Sequence, residues 1–131
     1  MTRQTQESRE TEPATRAVLY VCAERGVVNP TLGAERAEQE GRAFAAARGI
    51  VIVETITDPY GQPDPMCRKG WRRVRELARR GEAEMVIVRW PTALAPDGVQ
   101  DLRHREIDEL LKQGVSVRYS WAPLSQTGTV R

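Results

Sequence analysis

Short apolar segments recur along the chain, and each is followed by a polar or glycine-containing loop. They cover residues 17–22, 50–56, 85–88 and 115–119, and most of their side chains are β-branched, aromatic or long aliphatic groups. Runs of this length and composition are typical of buried strands. The pattern therefore predicts four strands.

Between these segments, apolar residues recur at intervals of three and four, which is the period of an amphipathic helix. The spacing predicts helices over residues 34–48, 68–80 and 97–113, each followed by a glycine suited to a helix end, with Asp97 as the cap of the third. The expected buried positions are Ala34, Ala37, Gly41, Phe44 and Ala45, then Trp71, Val74, Leu77 and Ala78, then Val99, Leu102, Ile107, Leu110 and Leu111.

Strands that alternate with helices through short loops favour an α/β fold. We expect a three-layer domain in which about four parallel strands carry helices on both faces. Right-handed crossovers then bring the loops after the strands to one edge of the sheet. Residues 16–120 form this domain, residues 1–15 are expected to be a disordered polar arm, and residues 121–131 a short tail.

Several chemistry-bearing residues follow the predicted strands. Cys22 and Glu24 end the first, Asp58 follows the second, and Arg68 opens the second helix. No glycine-rich phosphate loop is present. The two cysteines, Cys22 and Cys67, lack metal-ligand spacing and are expected to be free buried thiols, so no metal or other cofactor is predicted.

The second predicted helix is strongly basic. Arg68, Arg72, Arg75 and Arg79 are spaced by four, three and four residues, and Lys69 adds a further charge. This spacing places the arginines on one helix face. Such a face is either solvated or a contact surface for phosphodiesters. Arg68 differs from the others because it lies beside the convergent edge, where its guanidinium could reach an oxyanion.

Two further residues and the overall composition also bear on the core, the partners and the compartment expected for this chain. His104 lies in the third helix among polar neighbours and is expected on the surface, whereas Trp71 is expected in the core. The formal net charge of +2 shows no overall basic bias. No apolar run approaches the length of a membrane helix, so no membrane partner is expected. Two cysteines without a disulfide framework fit the cytoplasm.

At this point a family resemblance becomes visible, and it covers residues 16–119. It is carried by VLYVCAE, GRAFAAARGIVIVETITDPYG, CRKGWRRVRELARRGEAEMVIVRW and DLRHREIDELLKQGVSVRY. The order of these pieces resembles the catalytic domain of the serine recombinases, the resolvases and invertases. The positions in register with the family pattern are Tyr20, Asp58, Arg68, Gly70, Trp71, Gly81, Gly114 and Val115.

The resemblance implies a role in site-specific DNA recombination, yet most of the family's reactive positions differ here. Family members attack a DNA phosphodiester with a serine and neutralise the phosphate with arginines. In this sequence Glu24 takes the place of the serine and Cys22 that of the first-strand arginine. Residues 91–96, PTALAP, replace the basic motif after the third strand. Of the active-site arginines, Arg68 is retained.

The resemblance also implies that a long dimerisation helix and a DNA-reading module should follow the sheet. Only residues 120–131 follow it here. We therefore expect either a fragment or a protein that lost those parts.

Three hypotheses remain open. The first is an inactive recombinase-like domain that binds DNA, a protein partner or a second copy of itself. The second is an active recombinase or nuclease whose nucleophile has moved to Thr92, Ser120 or Ser125. The third is an interaction module that uses the Arg68–Arg79 face, and it would be a protein-only module if the chain has no affinity for DNA.

Overall fold

The computed structural model describes residues 14–121. The expected arm of residues 1–15 and tail of residues 121–131 therefore lie almost entirely outside the described part. The strands are β1 (Arg16–Val21), β2 (Val51–Thr57), β3 (Met85–Val88) and β4 (Ser116–Tyr119), and the helices are α1 (Leu32–Ala47), α2 (Lys69–Arg79) and α3 (Gln100–Lys112). Short 3₁₀ turns cover Pro65–Cys67, Pro91–Ala93 and Asp97–Val99.

The four strands form one parallel sheet in the order β2-β1-β3-β4. This arrangement confirms the predicted α/β class. Because β1 is hydrogen-bonded on both sides and pairs with β2 and β3, it is a central strand whose side chains are buried from Ala17 to Val21. The predicted strand boundaries are correct to within one residue.

Alternate residues of β1 enter two separate cores. Val18 and Tyr20 pack with Trp71, a residue of α2, on one face of the sheet. Leu19 packs with Phe44, a residue of α1, on the other. This alternation follows from the two-residue period of a strand. Helices therefore cover both faces, as the three-layer prediction requires.

The third helix differs from its prediction at both ends of its buried face. It begins at Gln100, and Asp97 makes no capping hydrogen bond, because this residue opens a 3₁₀ turn instead. Leu111 is exposed, whereas Glu106 has no exposed surface at all. The assignment of Asp97 as the cap was wrong because the helix begins three residues later, at Gln100. The assignment of Leu111 to the core was wrong because Glu106 and Leu110 occupy the buried positions of this helix.

Gly41 allows α1 to approach β1 closely. A Cβ atom on Gly41 would lie 2.3 Å from Leu19 Cδ1, inside the core between the helix and the sheet. We expect Gly41→Ala to lower the free energy of unfolding by about 1 kcal/mol, an overpacking cost of about 2 less a helix-propensity gain of about 1. Urea unfolding measures this. Gly98→Ala, at a position with open space, should leave the midpoint unchanged, and equal midpoints for both variants would contradict the packing argument.

Candidate functional site at the carboxyl edge of the sheet

A buried polar network joins β1 to the loop after β2 and to the start of α2. The Tyr20 hydroxyl donates to Asp58 Oδ2 at 2.7 Å, and Arg68 Nη1 donates to the same hydroxyl at 3.2 Å. All three side chains are buried. Burial raises the pKa of Tyr20, and its hydrogen bond to Asp58 acts in the same direction, so the phenol stays protonated and donates.

Asp58 closes the N-terminus of α2. Its carboxylate accepts from the backbone N–H of Gly70 at 2.7 Å and of Trp71 at 2.9 Å. These N–H groups would otherwise lack partners at the start of a helix. A Cβ atom on Gly70 would lie 2.7 Å from both carboxylate oxygens, so the glycine lets Asp58 reach the helix end. Asp58 is therefore committed to a structural role at this edge.

Arg68 links β1, the loop after β2 and the turn after β3. Its Nε donates to the carbonyl of Gln62 at 2.9 Å, and its Nη1 donates to the carbonyl of Ala93 at 2.8 Å as well as to Tyr20. The residue is only 6% exposed. Two of its three nitrogens are thus used within the fold, and the guanidinium is not presented on the open surface.

Glu24 lies in the loop after β1 and is exposed. It lines a cavity of about 230 Å³ together with Cys22, Tyr60, Arg89 and other residues of the loops after β1 and β3. Burial raises the pKa of the Cys22 thiol, although the charge of Arg68 opposes this effect. The predicted edge residues Cys22, Glu24, Asp58 and Arg68 therefore meet at one edge, with Asp58 and Arg68 turned into the fold.

The sequence did not identify the ion pair that borders this cavity. Arg89 donates from Nε and Nη2 to both carboxylate oxygens of Glu40, at 2.8 and 3.0 Å, and its guanidinium lies 4.3 Å from the Trp90 ring centre. The position of Arg89 directly after β3 hinted at a place in the site. Its partner lies on α1, far away in sequence, and no local pattern connects the two.

The basic face predicted for α2 is divided by its contacts. Arg75 donates to the buried carboxylate of Glu106, and Arg79 pairs with Glu76. Arg72 donates to the carbonyl of Met66 but pairs with no carboxylate in the described part of the chain. Lys69 is exposed and likewise has no ion-pair partner within residues 14–121.

The remaining candidates lie away from the network. His104 is exposed and Trp71 is buried in the core, as predicted. Cys67 is exposed, so the expectation that both thiols are buried was wrong for this residue, which lies in the turn preceding α2. Within residues 14–121 no group of His, Cys, Asp or Glu side chains has the arrangement of a metal site. None of the helices described is long and apolar enough to cross a membrane.

The two thiols should react at very different rates. At neutral pH we expect one cysteine to be alkylated rapidly by iodoacetamide and the other only slowly, because Cys67 is exposed while Cys22 is buried with a raised pKa. Mass spectrometry of the labelled peptides distinguishes them. Cys67→Ser should remove the fast phase, and the slow reaction should accelerate as pH rises. Rapid labelling of Cys22 in the folded protein would contradict this description.

No protein-family model matches the chain, and no curated protein is significantly similar to it in sequence. Solved structures are similar in fold. The C-terminal catalytic domain of ISC1926 TnpA, an IS607-like serine recombinase, has a TM-score of 0.67 at 18% identity, over 86% of this chain and 75% of that one. The N-terminal catalytic domain of TP901-1 integrase has a TM-score of 0.66 at 16% identity, over 81% and 77%. A resolvase family site-specific recombinase from Streptococcus pneumoniae has a TM-score of 0.64 at 16% identity, over 87% and 82%. The chain therefore has the fold of the serine recombinase catalytic domains.

Proposed function

We propose that this chain is a serine-recombinase-like domain, related to site-specific DNA recombination, that does not cleave DNA and acts by binding. One observation carries the proposal. At the carboxyl edge of the sheet, the position that resembles the nucleophile holds the exposed carboxylate of Glu24, and Arg89, which lines the same cavity, is paired with Glu40.

The electrostatics of this edge disfavour phosphoryl chemistry. A phosphodiester under attack needs cations placed where negative charge develops. Arg89 is neutralised by Glu40, and Arg68 is buried and keeps only Nη2 without a hydrogen bond within residues 14–121, so a single donor remains where several cations would be needed. The Glu24 carboxylate repels a phosphate and offers no hydroxyl. These features support the proposal that this edge of the sheet does not catalyse DNA cleavage.

A relocated nucleophile finds little support among the described residues. Thr92 lines the same cavity, but it has no titratable base within hydrogen-bonding distance. Ser120 Oγ is buried without a hydrogen-bond partner. Ser125 lies outside the described part of the chain. DNA cleavage by a relocated nucleophile is therefore the alternative for experiment to test.

Binding to DNA is the role that the start of α2 supports. Lys69 and Arg72 are exposed cations without an ion-pair partner in residues 14–121, whereas Arg75 and Arg79 are held by carboxylates. Only cations that are free to displace counterions contribute strongly to phosphate binding. The proposed contact surface is therefore narrower than the whole arginine face.

A protein partner is the second candidate, and the loop after β1 favours it. Val27 and Val28 are 100% and 97% exposed at the tip of this loop. Exposed apolar side chains next to each other are costly unless a partner covers them. A second copy of the chain is included in this candidate. Both described cysteines are free thiols, which supports a reducing compartment such as the cytoplasm.

Fluorescence anisotropy with a labelled DNA duplex tests the binding role. At low salt we expect saturable binding, and the double variant Lys69→Glu/Arg72→Glu should weaken it and flatten the slope of log affinity against log salt by about 2. The control double variant Arg36→Glu/Lys112→Glu, with one substitution on α1 and one on α3, changes the net charge by the same amount and should weaken DNA binding less. Absence of any DNA affinity at low salt would overturn the DNA role and leave the protein partner.

A further inference from the structure

Two cavities adjoin at the carboxyl edge of the sheet. The larger, of about 230 Å³, extends along the end of β1, and the smaller, of about 110 Å³, extends toward Arg68. Cys22, Tyr60 and Thr92 line both cavities, so the two share a wall or a passage. Both volumes suit a small ligand, and a wider, open groove of about 850 Å³ also borders Tyr60, Gln62 and Arg68 at this edge.

The larger cavity has a carboxylate, that of Glu24, in its lining. The Glu24 carboxylate makes no hydrogen bond or ion pair within residues 14–121. Arg89 adds no net charge because Glu40 neutralises it. Three aromatic residues, Tyr20, Tyr60 and Trp90, line the same cavity, and the Arg89 guanidinium already lies over the Trp90 ring. A carboxylate beside aromatic rings favours an ammonium group, since the ring faces attract cations.

The smaller cavity has a donor of the opposite kind. Arg68 lines it and is more than nine-tenths buried. While Nε and Nη1 donate within the fold, Nη2 makes no hydrogen bond to any residue of the described chain. A guanidinium nitrogen in this state is suited to a carboxylate oxygen. Asp58 offsets part of the Arg68 charge through Tyr20, yet its own oxygens are covered by N–H groups of α2.

We propose that the two cavities form one binding site for a small zwitterionic molecule of the amino-acid class, with its ammonium group against Glu24 and Tyr60 and its carboxylate against Arg68 Nη2. The aliphatic part of the ligand passes Cys22, Tyr60 and Thr92, where the cavities adjoin. This site does not depend on whether the chain cleaves or binds DNA.

An NMR titration of the ¹⁵N-labelled protein tests the site. The probes are β-alanine, γ-aminobutyrate and ε-aminocaproate, which differ in the separation of their charges, with hexylamine and hexanoate as single-charge controls. The indole N–H signals of Trp90 and Trp71 serve as reporter and internal reference, since Trp90 lines the cavity and Trp71 is buried in the core. We expect a saturable shift of Trp90 for one of the zwitterions, with binding at least about tenfold tighter than that of either control.

Substitution of Glu24 distinguishes this site from a nonspecific one. Glu24 is exposed and unpartnered, so Glu24→Gln should fold normally, and it should weaken the zwitterion about tenfold while leaving hexanoate unchanged. Asp108→Asn, on the exposed side of α3, is the matched control and should change neither affinity. The proposal is overturned if no zwitterion shifts Trp90 saturably, if hexanoate binds as tightly, or if Glu24→Gln has no effect.

Discussion

Asp58→Ala is expected to lower the free energy of unfolding by about 3 kcal/mol, the sum of a lost helix cap and a buried tyrosine hydroxyl left without its acceptor. In the folded protein this carboxylate accepts from Tyr20, Gly70 and Trp71 at 2.7, 2.7 and 2.9 Å. Alanine removes all three hydrogen bonds from a site that solvent does not reach. Urea unfolding followed by far-UV circular dichroism measures the change.

Asp58→Asn keeps the size of the side chain but changes its hydrogen bonds, so it shows how much of the loss in unfolding free energy comes from the hydrogen bonds. The amide oxygen can replace Oδ2 and accept from Tyr20 and Trp71, whereas its NH₂ group faces the Gly70 N–H as a second donor. We therefore expect a loss smaller than that of Asp58→Ala. If the alanine and wild-type proteins unfold at the same urea concentration, Asp58 is not the residue that closes α2.

Glu106→Ala is expected to be the most destabilising substitution considered, with a loss of about 4 kcal/mol, because it breaks a buried charge pair by removing one partner. The Glu106 side chain is 0% exposed. It accepts from the Trp71 indole N–H at 2.8 Å, from Arg75 at 2.5 Å and from Arg105 at 2.7 Å. The substitution leaves an indole donor unpaired and a cavity between α2 and α3.

Denaturant unfolding of two further variants tests the origin of this loss. Glu106→Gln keeps the size of the side chain and an acceptor for Trp71, so it should cost less than alanine. Asp108→Ala, two residues away on the exposed side of α3, should change the unfolding free energy by less than about 0.5 kcal/mol. A near-neutral Glu106→Ala would show that Arg75 and Trp71 rehydrate without cost.

Periodicity alone predicted the fold well. The two central strands are compact apolar runs, and β3 carries four consecutive buried residues, from Met85 to Val88, whereas the edge strands β2 and β4 contain polar residues and are mostly not buried, so only their β-branched content marked them. The start of α2 was equally legible, since Trp71 and Val74 begin a clear helical stripe. These features depend on residues close in sequence, and local patterns report them reliably.

The details that periodicity missed depend on contacts between distant residues. Glu106 is a charged residue in a buried position, and Trp71 and Arg75 of α2, together with the neighbouring Arg105, make that position tolerable. Arg89 would count as a free cation at the edge if Glu40 were not opposite it on α1. Neither pairing leaves a signature in the sequence around the residue.

The retained motif positions acquire a different meaning in the structure. Tyr20, Asp58, Arg68 and Gly70 match the recombinase pattern, yet their contacts here build the loop and helix junction at the edge of the sheet. Residues of this kind are required for the fold whether or not a reaction takes place. Their presence therefore supports the fold, whereas the proposal of inactivity depends on Glu24, Cys22 and the neutralised Arg89.

Covalent trapping on DNA tests directly whether this domain cleaves DNA. The protein is incubated with supercoiled plasmid, quenched with detergent, and analysed for nicked or linear plasmid and for protein attached to DNA. We expect neither cleaved plasmid nor attached protein for the wild-type protein or for Glu24→Gln. A protein–DNA adduct would contradict this expectation, and loss of that adduct in Glu24→Gln, Thr92→Val or Ser120→Ala would identify the attacking residue.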